Sequence, residues 1–328
     1  MVSAVDYHTA GEPFRIVTGG VPPLRGRTIL DKRRDALERL DHVRRLLVYE
    51  PRGHADMYGC FVTEPEDDGA DLGVVFFHNA GYSTACGHGT IALVTWALDS
   101  GVIAPSGSRT EVVVDVPSGR LPTVARSEGG RVASVAFTNV PSFVAAQGLR
   151  LTTSAGEVIA DVSFGGAFYA SVDAASLGLA VEPGHLERFI ALGREIKAAI
   201  EAQREVVHPL EPELRDIYGV IFFEALDGGR HQRNVTIFAD GEVDRSPCGS
   251  GTSARLALLH AQGELDVGED LVHDGIIGTS FKARVTGEVE VAGRPAVITE
   301  VEGSAHPTGY HHFVLDDADP LGTGFLLR

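Results

Sequence analysis

Two rhythms of apolar and polar positions run along this chain. Short runs dense in β-branched and aromatic residues, bounded by glycine or charged turns, read as strands. In the first half these are EPFRIVTGG (12–20), LLVYE (46–50), CFVTE (60–64) and LGVVFFH (72–78). In the second they are GGAFYASVD (165–173), YGVIFFEA (218–225) and RNVTIFADG (233–241). Longer stretches repeat every three to four positions. Residues 31–45 (DKRRDALERLDHVRR) predict a charged helix with Leu37, Leu40 and Val43 on one face. Residues 184–203 predict another, with Pro183 and Gly184 at its start. Two further helices each follow a loop of small residues. NAGYSTACGHG (79–89) leads into a helix from about Thr90 to Ser100, stopped at Gly101. DRSPCGSGT (244–252) leads into SARLALLHAQ (253–262), stopped at Gly263.

These last two segments repeat in register. Cys86 and Cys248 are 162 residues apart (248 − 86), and the same offset relates Thr90 to Thr252 and Gly101 to Gly263. A phrase, its helix and its stop signal recur together after similar strands, which predicts an α/β (α+β) protein of two pseudo-symmetric halves. A chain of 328 residues is also long for one core. The expected boundaries are 1–135 for the first half and 136–307 for the second. The tail, 308–328, contains a strand-like piece expected to return to the first half.

Composition narrows the partners. Lys and Arg number 28 against 45 Asp and Glu, a net charge of −17, which disfavours nucleic acid and anionic membrane. An anionic substrate must then be held by a local device. The opening MVSAVDYHTAG lacks the pattern of a secretory signal, and apolar runs such as IALVTWAL are too short to span a bilayer. Three cysteines make no disulfide framework. These features together predict a cytoplasmic, reduced protein.

The paired loops supply such a device. Glycines let backbone N–H groups approach a ligand, and the first turn of a helix carries unpaired N–H donors and partial positive charge. An anion binds there without a basic side chain. A thiol in the same place is expected to have a lowered pKa. One cysteine per half suits proton removal from one side of a carbon and proton return from the other. A disulfide, a metal site and inert buried thiols are the alternatives. A cysteine hydrolase would need one nucleophile and a partner histidine rather than a duplicated phrase, and no lysine follows CGSGT, so it is not a nucleoside-triphosphate loop. Cys60, after a strand-like turn, reads as an inert core thiol.

EPRGHADMYG (50–59), GYSTACGHGT (81–90) and DRSPCGSGTSAR (244–255) resemble the signature segments of the proline racemase family, which includes proline racemases, 4-hydroxyproline 2-epimerases and trans-3-hydroxyproline dehydratases. The resemblance covers essentially the whole chain. It implies two diaminopimelate-epimerase-like domains with the active site in the cleft between them, an imino acid substrate, no cofactor, no metal and a homodimer. It further implies that Cys86 and Cys248 are the catalytic pair and that His88 and Asp244 position the substrate amine. The backbone N–H groups of Gly87, His88, Gly249 and Ser250 would clamp its carboxylate. His54 is read as a loop-holding residue. The family's dehydratases typically carry threonine where Cys248 stands, so the second thiol favours inversion over dehydration. Tyr58, Ser83 and Phe238 are expected to wall the ring. The two polar ones would favour a ring hydroxyl, hence trans-4-hydroxy-L-proline, with proline and trans-3-hydroxy-L-proline as alternatives. A carboxylate-binding protein without catalysis is the reading outside enzymes.

Overall fold

The structure, a computed structural model, describes residues 1–226 and 230–327. The elements up to the midpoint are β1 (Val2–Thr9), β2 (Glu12–Gly19), α1 (Ile29–Arg39), α2 (Asp41–Val48), β3 (Tyr58–Thr63), β4 (Leu72–His78), β5 (Gly81–Tyr82), α3 (Gly87–Asp99), β6 (Arg109–Val116), β7 (Gly119–Glu128) and β8 (Arg131–Thr138). There follow β9 (Ser142–Thr153), β10 (Gly156–Phe164), β11 (Phe168–Asp173), α4 (Leu186–Gln203), β12 (Ile217–Ala225), β13 (His231–Phe238), β14 (Glu242–Asp244), α5 (Gly249–Ala261), β15 (Asp270–Asp274), β16 (Ser280–Val291), β17 (Arg294–Gly303) and β18 (Ala305–Phe313). Among the described residues no helix is long and apolar enough to cross a membrane. The chain forms two compact units, Met1–Ala136 with Ser304–Arg328, and Phe137–Gly303. The divisions differ slightly from the expected ones because β18 starts early. It pairs along the whole of β1, from Thr9↔Ala305 to Val2↔Phe313.

The two units share one pairing scheme. In the first, β1 pairs antiparallel with β18 and β2, β2 runs parallel to β3, and β3 is antiparallel to β4. β4 is antiparallel to β5 and parallel to β6, which turns back into β7. In the second, β10, β11, β12, β13, β14, β15 and β16 repeat those relations strand for strand, with β9 in the place of β18. There β16 pairs with β17 and β17 with β9 through Ala296↔Phe143, so eight strands close into a ring. Closure leaves no free sheet edge.

Each unit holds one helix that is buried on every side. Residues Gly87–Leu98 of α3 and Gly249–Leu259 of α5 are all buried. An uninterrupted apolar or small surface is what such a position requires. Both helices span thirteen residues, at the 162-residue offset at each end, and both stop before a left-handed glycine, Gly101 (φ 74°) and Gly263 (φ 72°). They begin three to four residues earlier than expected, because the glycines belong to the first turn.

The opposite face of each sheet is covered by α1 and α2 in one unit and α4 in the other. Successive strand side chains point to opposite faces. Phe76 of β4 therefore meets Phe14, whereas Phe77 meets Phe61, which lies in the cluster that includes Ile29, Ala36 and Leu47.

The segment 31–48 departs from expectation. Thr28 caps α1 through a reciprocal pair with Asp31, Asp31 N donating to Thr28 Oγ1 at 3.0 Å. That start sets the inward stripe as Ile29, Lys32, Ala36 and Leu40, and leaves Leu37 55% exposed. The helix ends at Leu40 (φ −117°, ψ 9°) and α2 starts anew. Leu46, Leu47 and Val48 finish α2 rather than forming a strand; only Glu50 makes a bridge, to Phe325. A short apolar run has no periodicity to separate the two outcomes.

The docking of α4 depends on Gly193, where a Cβ would lie 2.8 Å from Ile237 Cβ. Gly193→Val should destabilise the protein by about 2 kcal/mol in urea unfolding, through overpacking.

Candidate active site

The first unit brings Cys86, His88, Tyr58 and Phe14 together. Cys86 is the N-cap of α3, in extended backbone (φ −156°), and its sulfur accepts the Gly89 N–H at 3.3 Å. The His88 ring lies 3.6 Å from that sulfur, held edge-on between Phe14 (5.6 Å) and Tyr58 (5.1 Å). Its carbonyl accepts from Thr9 Oγ1 at 2.9 Å. Gly89 cannot carry a side chain: a Cβ would lie 2.4 Å from the Phe14 ring and 2.7 Å from the sulfur. The loop before the cysteine is fixed from the helical layer. Buried Arg44 donates to the carbonyls of His78 (2.7 Å) and Asn79, and Arg33 to that of Tyr82 (2.7 Å).

The second unit places Cys248 before α5 in a different conformation. Its φ is 64°, a left-handed geometry that a non-glycine residue adopts at a cost of order 1–3 kcal/mol. The cysteine N–H donates to Ser246 Oγ (3.1 Å), while Ser246 donates to Asp244 Oδ1 through its N–H (2.9 Å) and its hydroxyl (2.7 Å). Burial pushes the Asp244 carboxyl up to about 6, against the pull of those bonds. Burial, followed by the charge of Asp244, pushes the Cys248 thiol up as well. The expectation that the helix N-terminus lowers this thiol is therefore corrected: desolvation outweighs the helix field. Tyr169, fully buried on β11, reaches both Ser250 Oγ (2.7 Å) and the Cys248 sulfur (3.8 Å).

The remaining candidates fall as follows. Gly87 and His88 form the first turn of α3, and Gly249 and Ser250 that of α5. Tyr58 and Ser83 lie together, the tyrosine hydroxyl donating to Ser83 Oγ at 2.5 Å. Phe238 is buried at the end of β13 and stacks on Tyr218 at 5.7 Å, one ring removed from Tyr169. The exposed His54 turns its ring to the adjacent Ala55 carbonyl (2.7 Å), while its own carbonyl accepts from Asn79 Nδ2 (3.2 Å) and the Met57 N–H (3.3 Å); Cys60 is a core thiol raised by burial. Tyr169 was not singled out from the sequence. It sits in GGAFYASVD, a strand buried on both faces, where nothing in the sequence marks the sulfur 79 residues away.

Comparison with known proteins gives a consistent picture. The family model described as proline racemase matches residues 4–326. A 3-hydroxyproline 2-epimerase of Burkholderia multivorans is 48% identical over 100% of this chain and 98% of its own. A trans-3-hydroxy-L-proline dehydratase of Bacillus cereus is 46% identical over 99% of this chain and 98% of its own. The crystal structure of a hydroxyproline epimerase from Agrobacterium vitis, with bound trans-4-OH-L-proline, superposes with a TM-score of 0.94 at 35% identity, covering 99% of this chain and 95% of that one.

The buried Asp244 makes stability pH-dependent in a defined sense. With its pKa raised to about 6 from an unfolded value of about 3.9, the native state binds more protons between those limits. The group thus destabilises the fold progressively as pH rises through that window. Asp244→Asn keeps an acceptor for Ser246 and removes the titration. Its stability relative to wild type should improve by about 2 kcal/mol from about pH 4.5 to about pH 7.5, read by urea unfolding at both.

Proposed function

The chain is an enzyme of the proline racemase family, and from that premise we propose that it inverts Cα of 3-hydroxyproline by moving protons between two thiols. The observation that carries this reading is Cys248 itself. It stands before its helix at the same register as Cys86, and it is a thiol where a hydroxyl would serve only one-sided chemistry. The ring position comes from the relatives. Both proteins named above at 46% and 48% identity act on a 3-hydroxyproline. The expectation of a 4-hydroxyl rested on Tyr58 and Ser83, whose one mutual bond leaves the Ser83 hydrogen able to meet a ring hydroxyl at either carbon, so the pair does not choose between them.

In the proposed reaction the substrate carboxylate accepts from first-turn N–H groups of Gly87, His88, Gly249 and Ser250, where the positive helix ends favour an anion. His88 and Asp244 hold the ring nitrogen. Cys86, as thiolate, takes the Cα proton, and the electron pair left on Cα is spread into the clamped carboxylate. The Cys248 thiol then delivers its proton to the opposite face, leaving Cys86 protonated and Cys248 as thiolate. The reverse direction uses the same pair with roles exchanged. The upward pressure on the Cys248 thiol supports its part as proton donor. Both sulfurs are buried, which strengthens the electrostatics and excludes competing water.

A second reading has support of its own, since a relative at 46% identity is a dehydratase. There Cys86 would take the same proton, and the C3 hydroxyl would leave with a proton as water. The enamine formed would tautomerise to a cyclic imine.

Proton NMR in D2O on trans-3-hydroxy-L-proline, trans-4-hydroxy-L-proline and L-proline separates the readings. The expected result is cis-3-hydroxy-D-proline carrying deuterium at Cα, with slower turnover of the other two substrates. A cyclic imine without the epimer identifies a dehydratase, and faster turnover of the 4-hydroxy isomer overturns the ring assignment. Cys86→Ser and Cys248→Ser should each cut inversion by about 10³-fold. Full activity in either variant contradicts the two-thiol mechanism.

A further inference from the structure

The Cys248 sulfur lies against the phenol of Tyr169. That residue is fully buried on β11, in one apolar cluster with Ile221, Ala254 and the cysteine itself. Its ring meets Tyr218 edge-on at 5.9 Å. The pairing of β11 with β12 slips here, from Phe168↔Ile217 to Tyr169↔Gly219, with Tyr218 as the extra residue. The equivalent pairing of β2 with β3 runs without a slip. A bulge of this kind re-aims a side chain. The Tyr169 oxygen ends 2.7 Å from Ser250 Oγ and 3.8 Å from the Cys248 sulfur, within reach of that larger atom.

Two hydroxyls and a thiol in a row can share their hydrogens in two ways. With Cys248 as thiol, its S–H points to the Tyr169 oxygen, and the phenol hydrogen passes to Ser250 Oγ. With Cys248 as thiolate, the phenol hydrogen turns to the sulfur and the Ser250 hydroxyl donates to the phenol oxygen. Either atom of the Tyr169–Ser250 pair can be the donor. The change needs two hydroxyl rotations and no movement of a heavier atom. Burial holds the Tyr169 phenol well above its ordinary range, so it keeps its hydrogen throughout.

A buried thiolate needs donors, because an anion taken out of water is costly unless it is hydrogen-bonded. Burial and then the charge of Asp244 push the Cys248 thiol up, while the Gly251 N–H, the Tyr169 hydroxyl and the Thr236 hydroxyl pull it down. The first unit meets the same need differently. There the ring on the equivalent strand is Phe14, which has no hydroxyl, and the first sulfur has the His88 imidazole at 3.6 Å. Ser250 occupies the slot of His88 in the repeat (250 − 88 = 162). A serine and a tyrosine together stand where the first unit has one imidazole.

We propose that Tyr169 and Ser250 form a reversible hydroxyl pair that serves Cys248 in both of its protonation states. The phenol oxygen receives the S–H when the sulfur is a thiol, and the phenol O–H turns to the sulfur when it is a thiolate. The inference rests on the two-thiol reading for its purpose, since only a sulfur that alternates between acid and base uses both arrangements. Its structural content concerns the sulfur alone.

The test reads the sulfur rather than turnover. In a Cys86→Ser background, the rate of iodoacetamide alkylation at Cys248, followed by peptide mass spectrometry at one fixed pH, is proportional to the thiolate fraction. Tyr169→Phe removes a single oxygen. Looser packing would speed entry of the reagent, whereas loss of the donor should slow alkylation about fivefold, equivalent to a pKa raised by about 0.7. An unchanged or faster rate overturns the proposal. Ser250→Ala leaves the phenol beside the sulfur and should keep at least the parental rate. A fall comparable to that of Tyr169→Phe would assign the effect to the first turn of α5 and overturn the proposal as well. The double variant leaves neither hydroxyl of the pair without its partner, so it decides even where Tyr169→Phe fails to fold. It should alkylate at the low rate, and the parental rate contradicts the pair. A protein that dehydrates 3-hydroxyproline yet shows the expected alkylation pattern would fault the proposed function and leave this inference standing.

Discussion

A helix that is buried from its first turn must find partners for leading N–H groups that no earlier carbonyl can reach. This protein buries two such helices, and much of its local architecture follows from how those ends are met. In α3 the solution is a sulfur: Cys86 accepts the Gly89 N–H as a side-chain cap. Space for it exists because Gly89 has no Cβ to strike the Phe14 ring. In α5 Gly251 plays the equivalent part, since a Cβ there would lie 2.9 Å from the Cys248 sulfur. Closing β9–β17 around α5 then keeps that helix buried on all sides, in surroundings where hydrogen bonds and charges weigh more than in water.

What the two units share and where they differ map onto different jobs. The shared strand pairing, helix length and stop glycine place a sulfur at the same point of each unit. The differences lie in the side chains that address each sulfur. Cys86 has an imidazole and an N–H for neighbours. Cys248 has a buried carboxyl, a phenol hydroxyl and a strained backbone supported by Ser246. The two frames are equivalent, and the side chains that dress them are not.

Much of this was legible in the sequence because it depends on local pattern. LGVVFFH is a strand over its full length, and the phrase around each cysteine marks a helix start whose partner lies 162 residues away. Local pattern failed in two ways. For residues 46–48 an apolar run too short to show a period was settled by tertiary packing on the sheet. For Cys248 the sign of the shift depends on burial and on Asp244, and sequence position reports the helix end without reporting the desolvation that outweighs it. Tyr169 was silent for the same reason: strand residues gain chemical meaning from neighbours on other elements.

The central claim is that two separate groups, one on each side of Cα, carry the two protons of the inversion. Deuterium incorporation at the start of turnover in D2O tests it most directly, by comparing the label in product with the label in recovered substrate. Two thiols predict product deuterated at Cα while unreacted substrate stays protiated, because the incoming proton comes from a sulfur already exchanged with solvent. Protium carried from substrate into product, or deuterium entering the recovered substrate as fast as the product, would mean that one group serves both faces.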